Sequence, residues 1–152
     1  MISSLREVGY TVLQNEAVSL PEHNLHVVGI DWPSIEEKDL MELVADVPDK
    51  FFSLCLFHLP KNLNNISKAD VDLAVGGHTH GGQVRMPGFG AIITDSELAR
   101  HEASGVLWRG KTAFHISRGL GADPRSNIRF FCPPAVTVLN ILHKQIKPSQ
   151  SV

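Results

Sequence analysis

The sequence predicts an α/β protein built on a mixed sheet, and three observations carry that prediction. Two continuous apolar runs, residues 51–57 and 71–75, have the length and composition of strands covered on both faces. A β-branched run at residues 25–30 and stretches of helical spacing between the runs make strand–helix–strand units of the first half. The second half is rich in glycine and hairpin signals, which leaves a mixed sheet or paired sheets as the two arrangements.

Taken in order, residues 3–8 form one or two helical turns closing at Gly9, where glycine is favoured after a helix end. Residues 10–14 read as a short strand and residues 25–30 as a more buried one. Ser34 followed by Glu37, behind Pro33, is a capping-box pattern. Leu40, Leu43, Val44 and Val47 then make one apolar stripe at helical spacing, so a helix spans 34–47 and stops at Pro48-Asp49. Residues 62–69 form a short helix or a loop. Residues 84–93 carry Pro87, Gly88 and Gly90 and read as loop. Residues 105–109 and 111–117 pair as a hairpin around Gly110, and Pro133-Pro134 lead into a last strand at 136–142. Residues 144–152 are a polar tail, expected to be mobile.

Composition bounds the class and little more. A chain of 152 residues, 43% hydrophobic and 20% charged, is one ordinary globular domain with enough apolar mass for a core. The formal charge of −2 and the lack of any Lys/Arg run give no electrostatic case for nucleic acid or an anionic membrane. Cys55 and Cys132 sit in apolar surroundings, the setting of buried free thiols and not of a disulfide framework. No stretch is long and apolar enough to cross a bilayer, and residues 1–10 lack the regions of a signal peptide. A soluble, cytoplasmic chain is the expectation.

The chemistry concentrates in Gly76-Gly77-His78-Thr79-His80-Gly81-Gly82-Gln83. In an extended segment alternate residues share a side, so His78 and His80 would reach one site, and the flanking glycines let backbone approach a ligand closely. Neutral imidazole is the commonest metal ligand. The plainer reading is a polar turn with solvated histidines. His58 follows the run 51–57 as His78 and His80 follow the run 71–75, and ligands in α/β folds gather beyond the carboxyl ends of strands. Three histidines at two strand ends make a candidate site.

Phe57-His58-Leu59-Pro60, then some twenty residues, then Gly77-His78-Thr79-His80-Gly81-Gly82-Gln83, resembles the calcineurin-like metallophosphoesterases, closest to their bacterial membrane-associated phosphodiesterase branch. Tyr10-Thr11-Val12-Leu13-Gln14-Asn15-Glu16 is similar to the segment after that family's Gly-Asn-His motif. His115-Ile116-Ser117-Arg118-Gly119-Leu120-Gly121 and Arg129-Phe130-Phe131-Cys132-Pro133-Pro134 resemble its closing hairpin and last-strand entry. The resemblance implies an α/β sandwich of mixed sheets flanked by helices. It also implies two divalent metals (manganese, iron or zinc), with His58 and His78 on one and His80 on the other. Such a pair clamps a phosphate and activates a bridging water.

The family pattern begins with Asp-x-His, Gly-Asp and Gly-Asn-His, and none of these occurs here; Asp31, Asp70 and Asp72 stand in other contexts. The resemblance therefore implies an incomplete domain over residues 1–143, the C-terminal part of a phosphodiester or pyrophosphate hydrolase, inactive alone. Its substrate would be a small-molecule or lipid-linked phosphoester, and complete relatives would be membrane-associated through an absent N-terminal segment. Losing the first half of the sheet would leave a strand edge at 51–57 or 71–75 open to self-association. Two other readings stand beside this one. The first is a non-catalytic remnant that associates with another chain. The second is a mononuclear zinc hydrolase using all three histidines.

Among secondary candidates, Gln83 would hydrogen-bond a ligand or brace its loop. Phe89, in the rim Met86-Pro87-Gly88-Phe89-Gly90, would contact an apolar substrate group or simply pack. Arg118 and Arg129 carry the guanidinium fork that suits phosphate, with a local carboxylate as the alternative partner. His23 and His26 read as a solvated pair, His101 and His115 as structural or exposed, and Trp32 and Trp108 as core or edge packing.

Overall fold

The computed structural model describes residues 2–31, 35–123 and 126–142. Helix α1 (Ile2–Glu7) closes at Gly9, whose φ of 92° suits glycine. Residues 10–14 form no strand. Asn15, at φ 55°, breaks the extended run, and β1 (Glu16–Leu20) begins after it. A 3-10 turn (Pro21–His23) and Asn24, at φ 47°, return the chain into β2 (Leu25–Gly29), antiparallel to β1. Hydrogen bonding across that turn, and not residue preference, selects 16–20 over 10–14. Leu13 instead packs against β2: a Cβ added at Gly29 would fall 2.4 Å from Leu13 Cβ, so only glycine admits the contact.

Helix α2 (Glu37–Val44) carries Leu40, Leu43 and Val44 of the predicted stripe but ends before Val47 and is shorter than 34–47; Glu36 precedes it without a side-chain cap. The predicted Ser34 cap, Pro33 and Trp32 lie outside the described residues, as does the polar tail 144–152. Then follow β3 (Phe52–Leu56), α3 (Leu63–Lys68) and β4 (Leu73–Gly76). A 3-10 segment (His80–Gly82) leads to a two-stranded sheet of β5 (Arg85–Met86) and β6 (Gly90–Ala91), inside what reads as loop. The hairpin β7 (Gly105–Arg109) and β8 (Thr112–Ile116) turns at Gly110 as predicted.

The main sheet is mixed and six-stranded, ordered β1-β2-β3-β4-β8-β7, with β2, β3, β4 and β8 parallel and both outer strands antiparallel. On one face Val28, Cys55, Ala74, Phe114 and Ile116 pack against Leu40 of α2 and Leu63 and Ile66 of α3. Burying each large side chain of this set contributes roughly 1.5–3 kcal/mol. His26 belongs to this face and is not solvated. Its ring bridges Ser19 Oγ at 2.9 Å and the Leu43 carbonyl at 2.9 Å, tying the β1–β2 hairpin to α2. Cys55 is buried in the same core, which pushes its thiol up to about 12 and leaves it inert.

The opposite face follows the register Val18–Val27–Leu54 in one row and Leu56–Val75–His115–Val106 in the next. Apart from the buried His115 it is apolar, yet Leu56 is 42% exposed and Val106 and Trp108 are each 63% exposed. The second face of the run 51–57 is therefore only partly covered, with Leu54 half-buried and Leu56 exposed. Nor does either predicted strand lie at an edge: β3 and β4 are bonded on both sides, and the edges are β1 and β7. What lies open is a face. Residues 136–142 join neither sheet, and Val136, Val138 and Leu142 are 74%, 79% and 85% exposed. Their alternation suits a strand, but a strand also needs a ladder partner. No helix among the described residues is long and apolar enough to cross a membrane.

Candidate metal-binding site

Parallel strands β3 and β4 deliver the first two histidines. Their ladder runs past the strand ends, through Phe57 N–H to the Val75 carbonyl at 3.0 Å and Gly77 N–H to the His58 carbonyl at 3.2 Å. Gly76 makes room for this: an added Cβ would lie 2.3 Å from the Phe57 ring. His58 and His78 consequently meet at the sheet's carboxyl end, with His58 Nε2 and His78 Nδ1 3.2 Å apart and the rings edge to face at 83°.

His80 arrives by a different route from the one that alternation suggests. Residues 77–80 are not extended. His78 (φ 68°), His80 (φ 50°) and Gln83 (φ 48°) are all left-handed, with Thr79 right-handed between the histidines. Left-handed residues with side chains are uncommon and persist only where surroundings hold them. Thr79 is one such hold, buried, donating to the Ala103 carbonyl at 2.7 Å and accepting from Gly81 N–H at 3.2 Å. Gly81 and Gly82 are left-handed too, and side chains there would collide with Cys132 Sγ (2.7 Å) and Ala91 Cβ (2.3 Å).

His78 and His80 line one open cleft of about 490 Å³ with Gln83, Val84, Ile92, Ile93, Asp95 and Asp123. His58 lines neighbouring hollows instead, one of them with Asp31 and Asn62. Although His58 is exposed as a whole, desolvation of its ring, then the proximity of His78 and His80, pushes its imidazole below the ordinary value of 6.5. It is neutral at pH 7, the form that offers a lone pair.

Gln83 faces the cleft with both amide atoms engaged: Oε1 accepts from Asp123 N–H and Nε2 donates to the Ser126 carbonyl at 3.1 Å. It braces Asp123 and Ser126. Phe89 lies elsewhere, in a hollow with Arg85, Met86, His101 and Phe131, and the Arg100 guanidinium sits 4.5 Å from its ring centre. Arg118 lays its stem against Gly81, where an added Cβ would lie 2.6 Å from Cγ. Arg129 meets backbone carbonyls and is not among the ion pairs of the described residues. His115 is buried and His101 exposed. Asp70 and Asp72 stand at the opposite end of β4, paired with Lys111 and Ser53. The sequence reading set Asp31 aside as outside the family's motifs and did not name Asp95 or Asp123, all three of which line hollows beside the histidines. Asp31 was within reach of the strand-end rule, since it follows β2 closely; the other two sit on loops brought in by the tertiary fold.

The donors fit half of a metal cage. Two nitrogens, each about 2.0–2.1 Å from one tetrahedral cation, stand roughly 3.3 Å apart, and the His58–His78 pair stands at 3.2 Å. Among the described residues, however, no three His, Cys, Asp or Glu side chains gather closely enough to hold an ion. The single-zinc arrangement of three histidines is therefore not assembled.

The chain belongs to the calcineurin-like metallophosphoesterase family. It is 30% identical over 136 residues to the uncharacterised metallophosphoesterase YkuE of Bacillus subtilis, covering 88% of this chain and 47% of that protein. It is 30% identical over 149 residues to the phosphodiesterase YaeI of Escherichia coli, covering 91% and 50%. Identity to the UDP-2,3-diacylglucosamine pyrophosphatase LpxG of Chlamydia muridarum is 26% over 151 residues, covering 95% and 45%. The chain thus spans about half the length of the curated relatives it matches. No family model matches it. No solved structure matches it either.

Proposed function

We propose that this chain is the C-terminal part of a metal-dependent phosphoester hydrolase, supplying His58 and His78 to one divalent cation and His80 to a second. The observation that carries the reading is the 3.2 Å approach of the His58 and His78 ring nitrogens beyond two adjacent parallel strands. Neutral imidazoles bring no negative charge, and Asp31, Asp95 and Asp123 do not gather with them closely enough to hold an ion, so the reading takes further anionic ligands from the part of the relatives outside the matched stretch. Manganese, iron or zinc suits such donors. When bound, the cations supply the charge that clamps phosphoryl oxygens and acidifies a water.

The chain's own contribution is to orient and to select. Thr79 and the glycines hold the two turn histidines toward the cleft. Among the described residues no lysine or arginine lines that cleft, so phosphate held there needs charge from elsewhere. Val84, Ile92 and Ile93 give it an apolar wall, which suits a lipid-linked phosphodiester or pyrophosphate. The name of LpxG, a diacylglucosamine pyrophosphatase, is in keeping with that class.

A second reading, a non-catalytic remnant that associates with another chain, is favoured by the lack of any three-donor group among the described residues. Metal titration separates the two. Under the half-site reading the purified chain binds manganese or zinc weakly, His78→Ala loses that binding, and an aryl phosphodiester is hydrolysed at background rate. Metal affinity unchanged by His58→Ala and His78→Ala would leave the remnant reading. Robust turnover that vanishes in His78→Ala would sink the half-site claim.

A further inference from the structure

We propose that Arg129 is the positioning residue of the His78–His80 turn and not a phosphate-binding one. A guanidinium has five N–H donors in a rigid fork, and here all five meet backbone carbonyls. Nε donates to Gly121 at 3.0 Å. Nη1 donates to His80 at 3.1 Å and to Cys132 at 3.2 Å, and Nη2 donates to Arg118 at 2.9 Å and to Gly121. No donor is left to face a ligand. One planar group instead joins the histidine turn, 49 residues away, to the exit from β8 and to its own segment 129–132.

The His80 carbonyl is the informative acceptor. His80 adopts φ 50°, a conformation that side chains disfavour, and Gly81 and Gln83 continue in the left-handed region. Such a turn needs restraint from outside its own sequence. Thr79 restrains it from the Ala103 side. Arg129 restrains it from the other side, and Cys132 Sγ, 3.4 Å from the same carbonyl and 3.5 Å from that of Gly81, completes the hold. A lysine keeps the charge but cannot span carbonyls on three stretches, because its donors diverge from a single atom. The consequence for metal binding rests on the His80 assignment proposed above; the geometry of the turn does not.

The test reads that geometry directly, by NMR on the metal-free chain. In Arg129→Lys and Arg129→Gln, the Gly82 and Gln83 amides, bonded to Thr79 and His80, should exchange about tenfold faster or more, the scale set by losing one charge-assisted hydrogen bond. Resonances of Val28, Leu40 and Phe114 should stay in place, and adding methylguanidinium to Arg129→Ala should restore part of the protection. In the wild type, inorganic phosphate should leave the Arg129 Nε–H resonance unmoved. Three results would each overturn the proposal: a phosphate-induced shift of that resonance, unchanged exchange at Gly82 and Gln83 in both variants, or collapse of the whole spectrum in both. None of these depends on metal affinity or turnover, so failure here is distinct from failure of the half-site reading.

Discussion

His115 is 6% exposed near the end of β8, and its Nδ1 has no hydrogen-bond partner among the described residues. Burial pushes the imidazole below its ordinary value of 6.5. Above that value both folded and unfolded chains hold it neutral. As pH falls below 6.5 the unfolded chain takes up a proton that the folded chain resists, so the unfolded state binds more protons and stability declines. The decline ends once the folded imidazole itself protonates. We expect the urea midpoint of the wild type to drop between pH 7.5 and 5.5, and the drop to shrink in His115→Leu. At pH 8 that variant should be neutral or more stable by about 1 kcal/mol, because it removes a buried unsatisfied nitrogen. Equal pH profiles for the two proteins would show that His115 is not the titrating group.

Between elements, the contact that matters most for the site is the one between β4 and the residue after β3. Gly76 ends β4 beneath the Phe57 ring, and Phe57 immediately precedes His58. A methyl group at 76 has to push that ring aside, and overpacking of this sort costs roughly 1–3 kcal/mol. Gly76→Ala should therefore lower stability by about that amount and, in the same step, separate His58 from His78. Calorimetry checks the first effect and the His58 and His78 ring resonances the second. Lost stability with the two rings still coupled would mean that the strand ends absorb the strain without moving the histidines. The predicted last strand carries a parallel lesson at this scale. Residues 136–142 have the alternation of a strand and no ladder, since a strand is defined by its neighbour as much as by its own residues.

For the molecule as a whole, the six-stranded sheet covers one face with α2 and α3 and leaves much of the other to solvent, with Leu56, Val106 and Trp108 exposed. Wet apolar area costs roughly 25 cal/mol per Å², and an open apolar face of this kind marks a surface for association. The isolated chain should self-associate in sedimentation and light-scattering series. Val106→Lys with Trp108→Lys should reduce the association, and under the C-terminal-part reading proposed above, co-expression with the N-terminal portion of a relative should replace it by a defined complex. A compact monomer at every concentration would show that the face is sufficiently covered as it stands.

What was legible in the sequence was local. The glycine turn with its two histidines, the strands around 52–56 and 73–76, the 105–116 hairpin and the helix stripe at Leu40 all rest on residues that are neighbours along the chain or one helical turn apart. Short-range propensity and periodicity are enough for those. Tertiary structure alone decided the rest. It chose residues 16–20 over 10–14 as the first strand and put Phe89 in a hollow away from the histidines. It turned an expected open edge into an open face and engaged the whole Arg129 fork with carbonyls. It also replaced the extended His-x-His by alternating left- and right-handed residues while still bringing His58 and His78 together. These outcomes depend on partners beyond the local pattern, from the hairpin strand 25–29 for residues 16–20 to Arg129 for the His80 carbonyl, whose hydrogen bonds and packing outweigh the small local differences that a sequence pattern expresses.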